Sequence, residues 1–537
     1  MSGGRTGRAA LLLLSALVIW VLLALPNRPS ALGVGTFVRL PLELPVLLGL
    51  LVATAGRPRL SQALRILLVA ALTAITILKL ADLALHETFS RPFNPVTDRF
   101  VFPAALNLLT GTLGPVAAWG VVALAVAALA LLVWLLAWAF GCWARPVGGA
   151  RRGVAGFVAL GFALVAAADL TRTTDPPGRA GTTRIALAHA DRAQSAARDL
   201  TAYRRAAASD PFAGASGLLD RLEGRDVIVL FVESYGRASF SNPLYSTTHV
   251  PTLEAAATGL ADAGFGARSL WLTSPIAGGQ SWLAHGTFAS GLETGDQARY
   301  GAMLASDRRT LWHLAQEAGY RTAAVMPAIT LPWPEGPRSG FETVLAAADL
   351  GYRGRPFNWV TMPDQYTLAA WPRLLPPDPR PGFVQIALIS SHAPWMPIPP
   401  MLDWDAIGDG RVFDRYAEAG DPPRVVWQDR DRVRDQYRQA IDYALRAALG
   451  FAARQAGPDA PLIIVLGDHQ PASSIAQVAG RDVPLHLIGP PDVLALFDGW
   501  NPTPGLVPGP GAPVWPMAAF RDRFVRATTT ARPAEPS

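Results

Sequence analysis

The chain has 537 residues, and half of them are hydrophobic, a share that is high for a wholly soluble protein. The net charge of +6 is spread along the chain rather than gathered in a block, which argues against a nucleic-acid partner. Lys79 is the only lysine, so the sequence after it excludes enzymes that need a Schiff-base lysine or a phosphate-loop lysine.

Five apolar runs occupy the first part of the chain, each near the roughly 20 residues needed to cross a bilayer. We therefore predict a transmembrane domain of about five helices over residues 1–170. A cleaved signal peptide is the alternative for the first run, because Arg5 and Arg8 precede it, but this run extends past the usual apolar core. The runs span residues 9–26, 40–55, 64–85, 115–141 and 154–170.

Arginines flank these runs unevenly, and the positive-inside rule assigns the richer side to the cytoplasm. Five crossings then place everything after residue 171 on the periplasmic or extracellular side of a plasma (inner) membrane. Lys79 and Asp82, three residues apart, are expected to pair within one helix near the interface. The richer side has Arg5, Arg8, Arg57, Arg59, Arg65, Arg145, Arg151 and Arg152, and the other has Arg28, Arg39, Arg91 and Arg99.

Residues 171–224 become polar and rich in alanine and arginine, and the spacing in "HADRAQSAARDLTAYRRAA" predicts a linker helix. From 225 to 525, β-branched apolar runs alternate with helical segments, which predicts an α/β domain with a mostly parallel central sheet flanked by helices. Residues 526–537 are predicted to be a disordered tail. The predicted strands are 226–234, 320–327, 382–392, 460–469 and 482–489.

Three of these strands end in acidic or histidine side chains. Glu233 follows "VIVLFV", His392 follows "IALISS", and Asp468 with His469 follows "LIIVLG". Ligands bind at the carboxyl ends of strands in open α/β sheets, so we expect these groups to converge there. Carboxylates and imidazole suit a divalent metal such as Mn, Mg or Zn.

The segment "SWLAHGTFASG", residues 281–291, follows a "GGQ" that predicts a tight turn. Ser281 then begins a helix, where it is either a capping residue or a nucleophile at an electropositive helix terminus. Coordination to a divalent cation is one way to activate a serine hydroxyl. The local sequence leaves both roles open.

Together these motifs resemble the alkaline phosphatase superfamily, in its sulfatase-like branch, over residues 226–490. "VIVLFVESYG" is similar to the family's first strand with its metal-binding acid, "SWLAHGTFASG" to its nucleophile segment, and "IVLGDHQP" to its Asp-His metal motif. The helix and strand in "TLWHLAQEAGYRTAAV" also fit this order. Apolar runs before such a domain resemble the lipoteichoic acid synthase-type membrane phosphoglycerol and phosphoethanolamine transferases.

The resemblance implies one divalent metal ion held by Glu233, Ser281, Asp468 and His469, with Ser281 as the nucleophile. It implies that His392, in "LISSHAPW", assists the leaving group or binds substrate. Trp333, in "LPWPE", corresponds to a substrate-binding aromatic segment.

The chain also departs from the family pattern. Sulfatases that mature a formylglycine have Pro and Arg where this chain has Leu283 and His285, which disfavours that chemistry. Gln470 stands where Gly is usual after the Asp-His pair. His285 lies one helical turn after Ser281 and either contacts substrate or packs behind the nucleophile. His486, inside a predicted strand, is expected to be a core histidine.

These features predict a membrane-embedded phosphotransferase or hydrolase that acts outside the cytoplasm through a phospho-serine intermediate. The expected partners are a membrane lipid donor and an envelope glycan or lipid acceptor, by analogy with the family. A sulfatase or phosphodiesterase without formylglycine, or a non-catalytic envelope binding protein, are the alternatives.

Overall fold

The computed structural model of the chain divides into two compact units. One unit comprises Met1–Glu87 with Arg91–Asp199, and the other comprises Thr88–Ser90 with Leu200–Ser537. Arg99 and residues 531–537 of the predicted tail lie outside the described residues. The structure describes residues 3–89, 91–98, 103, 105–106, 109–110, 114–145, 148–173, 177–358, 360–395 and 397–530.

The first unit is built from apolar helices, which confirms the predicted N-terminal helical bundle. In the described part of the chain, four helical segments are long and apolar enough to cross a membrane, namely Thr6–Ala24, Pro58–Phe89, Pro115–Trp143 and Gly149–Leu170. The elements in chain order are α1 (Gly3–Ala24), α2 (Val34–Val38), β1 (Leu40–Pro41), α3 (Glu43–Thr54), α4 (Pro58–Phe89), α5 (Pro115–Trp143), α6 (Gly149–Leu170), β2 (Gly178–Arg179) and α7 (Gly181–Ala207).

Helix α3 corresponds to the second predicted run, which is one of the two short runs. Its 12 residues extend about 18 Å, less than the roughly 30 Å hydrocarbon core of a bilayer. Helix α3 and the residues after it run antiparallel to α6. Gly49 lies against Ala159, whereas Gly56, later in the chain, lies against the earlier residue Arg152. The count of five holds only when this short helix is included.

Lys79 and Asp82 of α4 bond to other elements rather than to each other, contrary to the expected pair. The Lys79 ammonium donates to the main-chain oxygen of Leu23 at 3.0 Å. Asp82 accepts a 2.7 Å bond from the side-chain amide of Asn27 and lies 3.0 Å from His189 Nε2. These buried groups join α4 to the end of α1 and to α7, the helix predicted in the linker.

A nine-stranded sheet forms the centre of the second unit, in the order β10-β4-β9-β8-β3-β7-β5-β6 with β11 beside β4. Its strands are β3 (Val227–Val232), β4 (Gly266–Thr273), β5 (Arg321–Met326), β6 (Thr343–Ala346), β7 (Gly382–Leu388), β8 (Leu462–Gly467), β9 (Asp482–Gly489), β10 (Thr503–Pro504) and β11 (Val514–Pro516). The five neighbours β8, β3, β7, β5 and β6 run parallel, which confirms the predicted α/β class.

Two strands differ from the sequence-based expectation. The predicted segment 482–489 forms β9, but it pairs antiparallel with β8. The segment "GARSLWLT" forms β4, which no pattern singled out because its polar Arg268 and Ser269 interrupt the apolar run. Only the central strands, buried on both faces, are as uniformly apolar as the prediction required.

Helices cover both faces of the sheet and enclose two apolar cores. The last helix continues to Thr528, where Val525 and Thr528 are buried, so residues 526–528 are helical and not part of a tail. The helices are α8 (Ala238–Ser241), α9 (Pro243–Asp262), α10 (Ser281–Ser290), α11 (Gln297–Leu304), α12 (Leu311–Glu317), α13 (Glu335–Arg338), α14 (Asp364–Ala370), α15 (Pro423–Val426), α16 (Arg430–Ala453), α17 (Ser473–Ala476), α18 (Pro491–Ala495) and α19 (Ala519–Thr528).

Candidate active site

The register of three adjacent parallel strands brings the predicted acidic groups together. Val232, the last residue of β3, pairs with Leu388 of β7 on one side and with Gly467 of β8 on the other. The next residues along the three strands, Glu233 and Asp468 among them, therefore leave the sheet side by side. This is the strand-end convergence that the sequence predicts.

Glu233, Asp468 and His469 form a compact buried cluster whose ligand atoms all lie within 4.8 Å of one another. His469 Nε2 is 3.2 Å from Glu233 Oε1 and 3.9 Å from Asp468 Oδ1. Among the described residues, no other three histidine, cysteine or carboxylate side chains bring their ligand atoms as close together.

Hydrogen bonds around the cluster orient its side chains. His469 Nδ1 lies 2.8 Å from the main-chain oxygen of Gln470, a contact that requires a proton on Nδ1 and turns Nε2 toward the carboxylates. Metal-binding histidines are held in this way. Asp468 Oδ1 accepts from the amides of Ser234 at 2.8 Å and His469 at 2.6 Å.

Without a cation, ionisation of one of the two neighbouring carboxyl groups disfavours ionisation of the other. Burial raises the pKa of Asp468 well above its ordinary value, and the Glu233 carboxylate raises it further. Burial also opposes ionisation of Glu233, but His392 and His469 hold its pKa well below the ordinary value. A divalent cation would allow both carboxylates to ionise, so the residues present fit a metal ion.

Ser281 reaches this cluster from the opposite side of the crevice. Gly278, Gly279 and Gln280 all have positive φ, of 77°, 141° and 68°, and form the tight turn that precedes α10. Ser281 is the first residue of the helix, and its hydroxyl donates to Glu233 Oε2 at 2.7 Å and lies 3.2 Å from His469 Nε2. The cap position belongs to Gln280, whose side chain makes no capping hydrogen bond.

Close packing behind the cluster explains why glycine is present at position 467 and why glutamine fits at position 470. A Cβ on Gly467 would lie 1.7 Å from the main-chain oxygen of Tyr235, so only glycine fits at the end of β8. Gln470, at the position where the family usually has glycine, packs against Gly236 and accepts a 3.1 Å bond from the Ala238 amide. The larger residue thus fills the space over Gly236.

His392 stands on a loop that is tied to both the metal cluster and the core. The Ser391 hydroxyl donates to the main-chain oxygen of Glu233 at 2.7 Å. Asp364 Oδ1 accepts from the amides of Ile389 at 2.7 Å and Ser390 at 2.9 Å. His392 Nδ1 lies 2.9 Å from the main-chain oxygen of Ala393, which requires a proton on Nδ1.

A cavity of about 510 Å³ opens beside Ser281, and its wall includes all the predicted site residues except His469. His285 is half-buried there, its ring 4.0 Å from that of Phe231, and desolvation of the ring lowers its pKa to about 4. Trp333 lines the same cavity. Thus the two predicted substrate-binding residues line the same cavity as the nucleophile candidate.

Two other histidines, His486 and His249, are buried and contact protein groups of the core. His486 is fully buried in β9 between the hydroxyls of Ser269, at 2.7 Å, and Tyr235, at 3.1 Å, as expected for a core histidine. His249 Nε2 lies 2.9 Å from the main-chain oxygen of Arg438.

Sequence reasoning left three further cavity or loop residues unassigned. Asp364 is fully buried beneath the His392 loop. Gln385 is 2% exposed on β7 and lines the cavity, as does Glu335 at the start of α13. Gln385 had a detectable signal, because it is the only polar side chain in the strand "GFVQIAL".

Residues 225–485 match a family model described as Sulfatase. A search of the curated proteins finds no match. Solved structures that are similar to this chain include the lipoteichoic acid synthase LtaP from Listeria monocytogenes, with 13% identity, a TM-score of 0.36, and coverage of 56% of this chain and 70% of that chain.

Two other similar structures are transferases. The C-terminal periplasmic domain of the phosphoethanolamine transferase EptC from Campylobacter jejuni has 11% identity and a TM-score of 0.37, with 58% of this chain and 92% of that chain covered. The Streptococcus pyogenes phosphoglycerol transferase GacH, in complex with sn-glycerol-1-phosphate, has 13% identity and a TM-score of 0.37, with 63% and 82% covered.

The family match covers the strands that end in Glu233, His392 and Asp468, together with the helix that begins at Ser281. Residues 225–485, which hold all of the predicted site residues, are therefore similar to a Sulfatase domain.

Proposed function

We propose that this protein is a membrane-anchored, metal-dependent phosphotransferase that forms a covalent phospho-serine at Ser281. The contact between the Ser281 hydroxyl and Glu233, at 2.7 Å within a cluster suited to a metal, is the observation that carries the proposal. A hydroxyl held against metal-binding groups at a helix N-terminus meets the requirements of an activated nucleophile.

Glu233, Asp468 and His469 would hold one divalent ion of Mn, Mg or Zn, with the Ser281 oxygen as a further ligand. When bound, the ion would neutralise charge on the phosphate oxygens and favour the ionised form of the serine hydroxyl. The His469 tautomer and the two buried carboxylates support this assignment.

The first half-reaction exchanges one phosphoester bond for another. Ser281 Oγ bonds to phosphorus, the bond from phosphorus to the leaving oxygen breaks, and the serine proton passes toward Glu233, which accepts its hydrogen bond. The leaving oxygen takes a proton from His392. Because Nδ1 of His392 is directed to the Ala393 carbonyl, this exchange would use Nε2.

The second half-reaction returns the enzyme to its starting state. An acceptor hydroxyl gives its proton to His392 and attacks phosphorus, and the bond from phosphorus to Ser281 Oγ breaks with return of the serine proton. Water in place of the acceptor would make the same site a hydrolase. The mostly apolar cavity beside Ser281 limits water near the phosphoserine and favours transfer.

We further propose that the donor is a membrane phospholipid and the acceptor an envelope glycan or lipid, outside the cytoplasm. Support comes from the apolar helices of the first unit, which give five crossings when the short helix α3 is counted with the four long ones. The arginine-rich ends then face the cytoplasm.

A sulfate-ester hydrolase is the second candidate, favoured by the family match of residues 225–485. Leu283 and His285 stand where formylglycine-forming sulfatases have Pro and Arg, so such an enzyme would have to use Ser281 directly. Assaying the full-length protein on a sulfate monoester and on a phosphodiester, each with and without chelator, separates the candidates. Our proposal requires chelator-sensitive turnover of the phosphodiester and would be refuted by turnover of the sulfate ester alone.

A further inference from the structure

The cavity beside Ser281 has an unusual charge distribution for a site that receives a phosphate. Its acidic lining residues, in the part of the chain that the structure describes, are Glu233 and Asp468 of the proposed metal cluster and Glu335, and its histidines are His285 and His392. Neither arginine nor lysine is among the described lining residues. Most of the remaining wall is apolar or aromatic, and includes Trp282, Tyr300, Trp312, Trp333 and Phe341.

Glu335 is the charged group of this cavity that the metal cluster does not explain. It is half-buried at the start of α13, and its carboxylate makes no hydrogen bond or ion pair with any described residue at the distances that define such contacts. The nearest basic residue along the helix, Arg338, is exposed and does not bridge to it. A half-buried carboxylate without a cationic partner is available to pair with a positively charged group of a ligand.

Aromatic side chains stand close to Glu335. The Trp333 indole packs on the backbone of α13, because a Cβ on Gly336 would lie 3.0 Å from its Cε3. The Tyr300 ring packs on Gly286 of α10, where a Cβ would lie 3.1 Å from it. Burial, followed by the charge of Glu335, raises the pKa of Tyr300 to about 12, so the phenol stays neutral. Electron-rich ring faces next to a carboxylate suit an ammonium group.

Gln385 adds an independent sign that the cavity binds a ligand. The side chain is 2% exposed, yet within the described residues its amide nitrogen reaches only Met326 Sδ, at 3.7 Å. A buried amide with so weak a contact has hydrogen-bonding capacity left for a ligand. Gln385 shares its face of the sheet with Ala387, which also lines the cavity.

We propose that Glu335, Tyr300 and Trp333 form a specificity subsite for a positively charged ammonium group attached to the phosphate that Ser281 receives. This inference rests on the proposed function and narrows it. Donors with a choline or ethanolamine head group are preferred to those with a neutral glycerol head group. Glu335 offers the counter-charge, and the two aromatic rings contact the cation.

The test uses the full-length protein in detergent, with its metal, and three fluorescent diacyl donors that share acyl chains but differ in head group. Initial rates of fluorescent diacylglycerol release from the choline, ethanolamine and glycerol donors give kcat/KM for each. The variants are Glu335→Gln, which removes the charge but keeps the shape, and Glu254→Gln as a matched control on the exposed face of α9. Metal content and thermal midpoint check that each variant is folded.

We expect the wild type and the Glu254→Gln control to prefer an ammonium donor at least tenfold over the glycerol donor. The preference should fall by about tenfold or more in Glu335→Gln. A faster choline donor would identify a quaternary ammonium, and a faster ethanolamine donor a primary one. A glycerol donor used as well as both others, or an unchanged preference in Glu335→Gln, would overturn the subsite. Release from none of the donors would instead count against the proposed function.

Discussion

The Ser281 hydroxyl donates a 2.7 Å hydrogen bond to Glu233 Oε2, although 48 residues separate the two in the chain. The bond joins the start of α10 to the end of β3. It holds the hydroxyl against the cluster that we propose to bind a metal, while the capping position of α10 is occupied by Gln280. This relationship supports the nucleophile role that we propose over the capping role.

Replacing Ser281 by alanine tests that distinction through the size of the effect. A capping serine contributes roughly 0.5–2 kcal/mol to stability, whereas loss of a covalent nucleophile lowers turnover by several orders of magnitude. Ser281→Ala should therefore keep its thermal midpoint within a few degrees and lose almost all activity. Ser281→Thr should keep part of it, because the hydroxyl remains. If Ser281→Ala turns over substrate at more than about a tenth of the wild-type rate, the activation barrier has risen by only ~1.4 kcal/mol, and the assignment of Ser281 as nucleophile is contradicted.

Asp468→Asn tests the metal ligands. The amide oxygen can still accept from the amides of Ser234 and His469, so the loop should keep its shape while the ligand charge is lost. We expect most of the bound metal to be absent by elemental analysis of the purified protein, with the circular dichroism spectrum unchanged. Asp435→Asn, on the exposed surface of α16, is the control. Metal at the wild-type level in Asp468→Asn would show that the ligand set is wrong.

The position of the second unit relative to the membrane is testable with a reporter enzyme fused after residue 200. If α3 counts as a crossing, the fusion point lies outside the cytoplasm, and a reporter that folds only there should be active. If only the four long helices cross, the same reporter should be inactive and a cytoplasmic reporter active. The short length of α3 makes this the decisive experiment for topology.

Asp364 predicts a pH dependence of stability. Burial raises its pKa to about 6 from 3.8, opposed by hydrogen bonds from the Ser390 and Ile389 backbone, while Glu233 adds repulsion. Tyr443, whose pKa is raised well above its ordinary value, faces it as a neutral phenol. Because the folded pKa is higher than the unfolded one, the stabilising contribution is complete below about pH 3.8 and is lost as pH rises to about 6.

The corresponding variant is Asp364→Asn, which keeps an oxygen for both backbone amides. The thermal midpoints of the variant and the wild type are measured from pH 4 to 7. As pH rises, the midpoint of the variant should increase relative to that of the wild type by an amount equivalent to roughly 1–3 kcal/mol of stability. A constant difference across this range would mean that Asp364 is already ionised in the folded protein at low pH.

Much of the site was predictable because its residues follow uniformly apolar strands. Glu233 and Asp468 sit directly after β3 and β8, and parallel strands in register place such residues side by side. Burial on both faces makes these strands visible in the sequence. The same reasoning failed at β4, where polar residues interrupt the run, and at α3, where Pro41 and Gly56 confine the helix to 12 residues.

Other features depend on packing that no local pattern encodes. Asp364 lies beneath the His392 loop only because α14 packs beside the end of β7. Glu335 and Tyr300 come from separate helices and share a wall of one cavity only in the folded chain. Lys79 and Asp82 have helical spacing typical of a pair, yet each finds a partner on another element.

The mass of the peptide that contains Ser281 tests the central claim most directly. The purified wild-type protein, with its metal, is incubated with phospholipid donor and without acceptor, then denatured in acid and digested for mass spectrometry. A mass increase equal to the phosphate with its head group, located on Ser281 and absent from Ser281→Ala, is the result we predict. An unmodified Ser281 in protein that is turning over the donor, or an adduct on another residue, would contradict the mechanism.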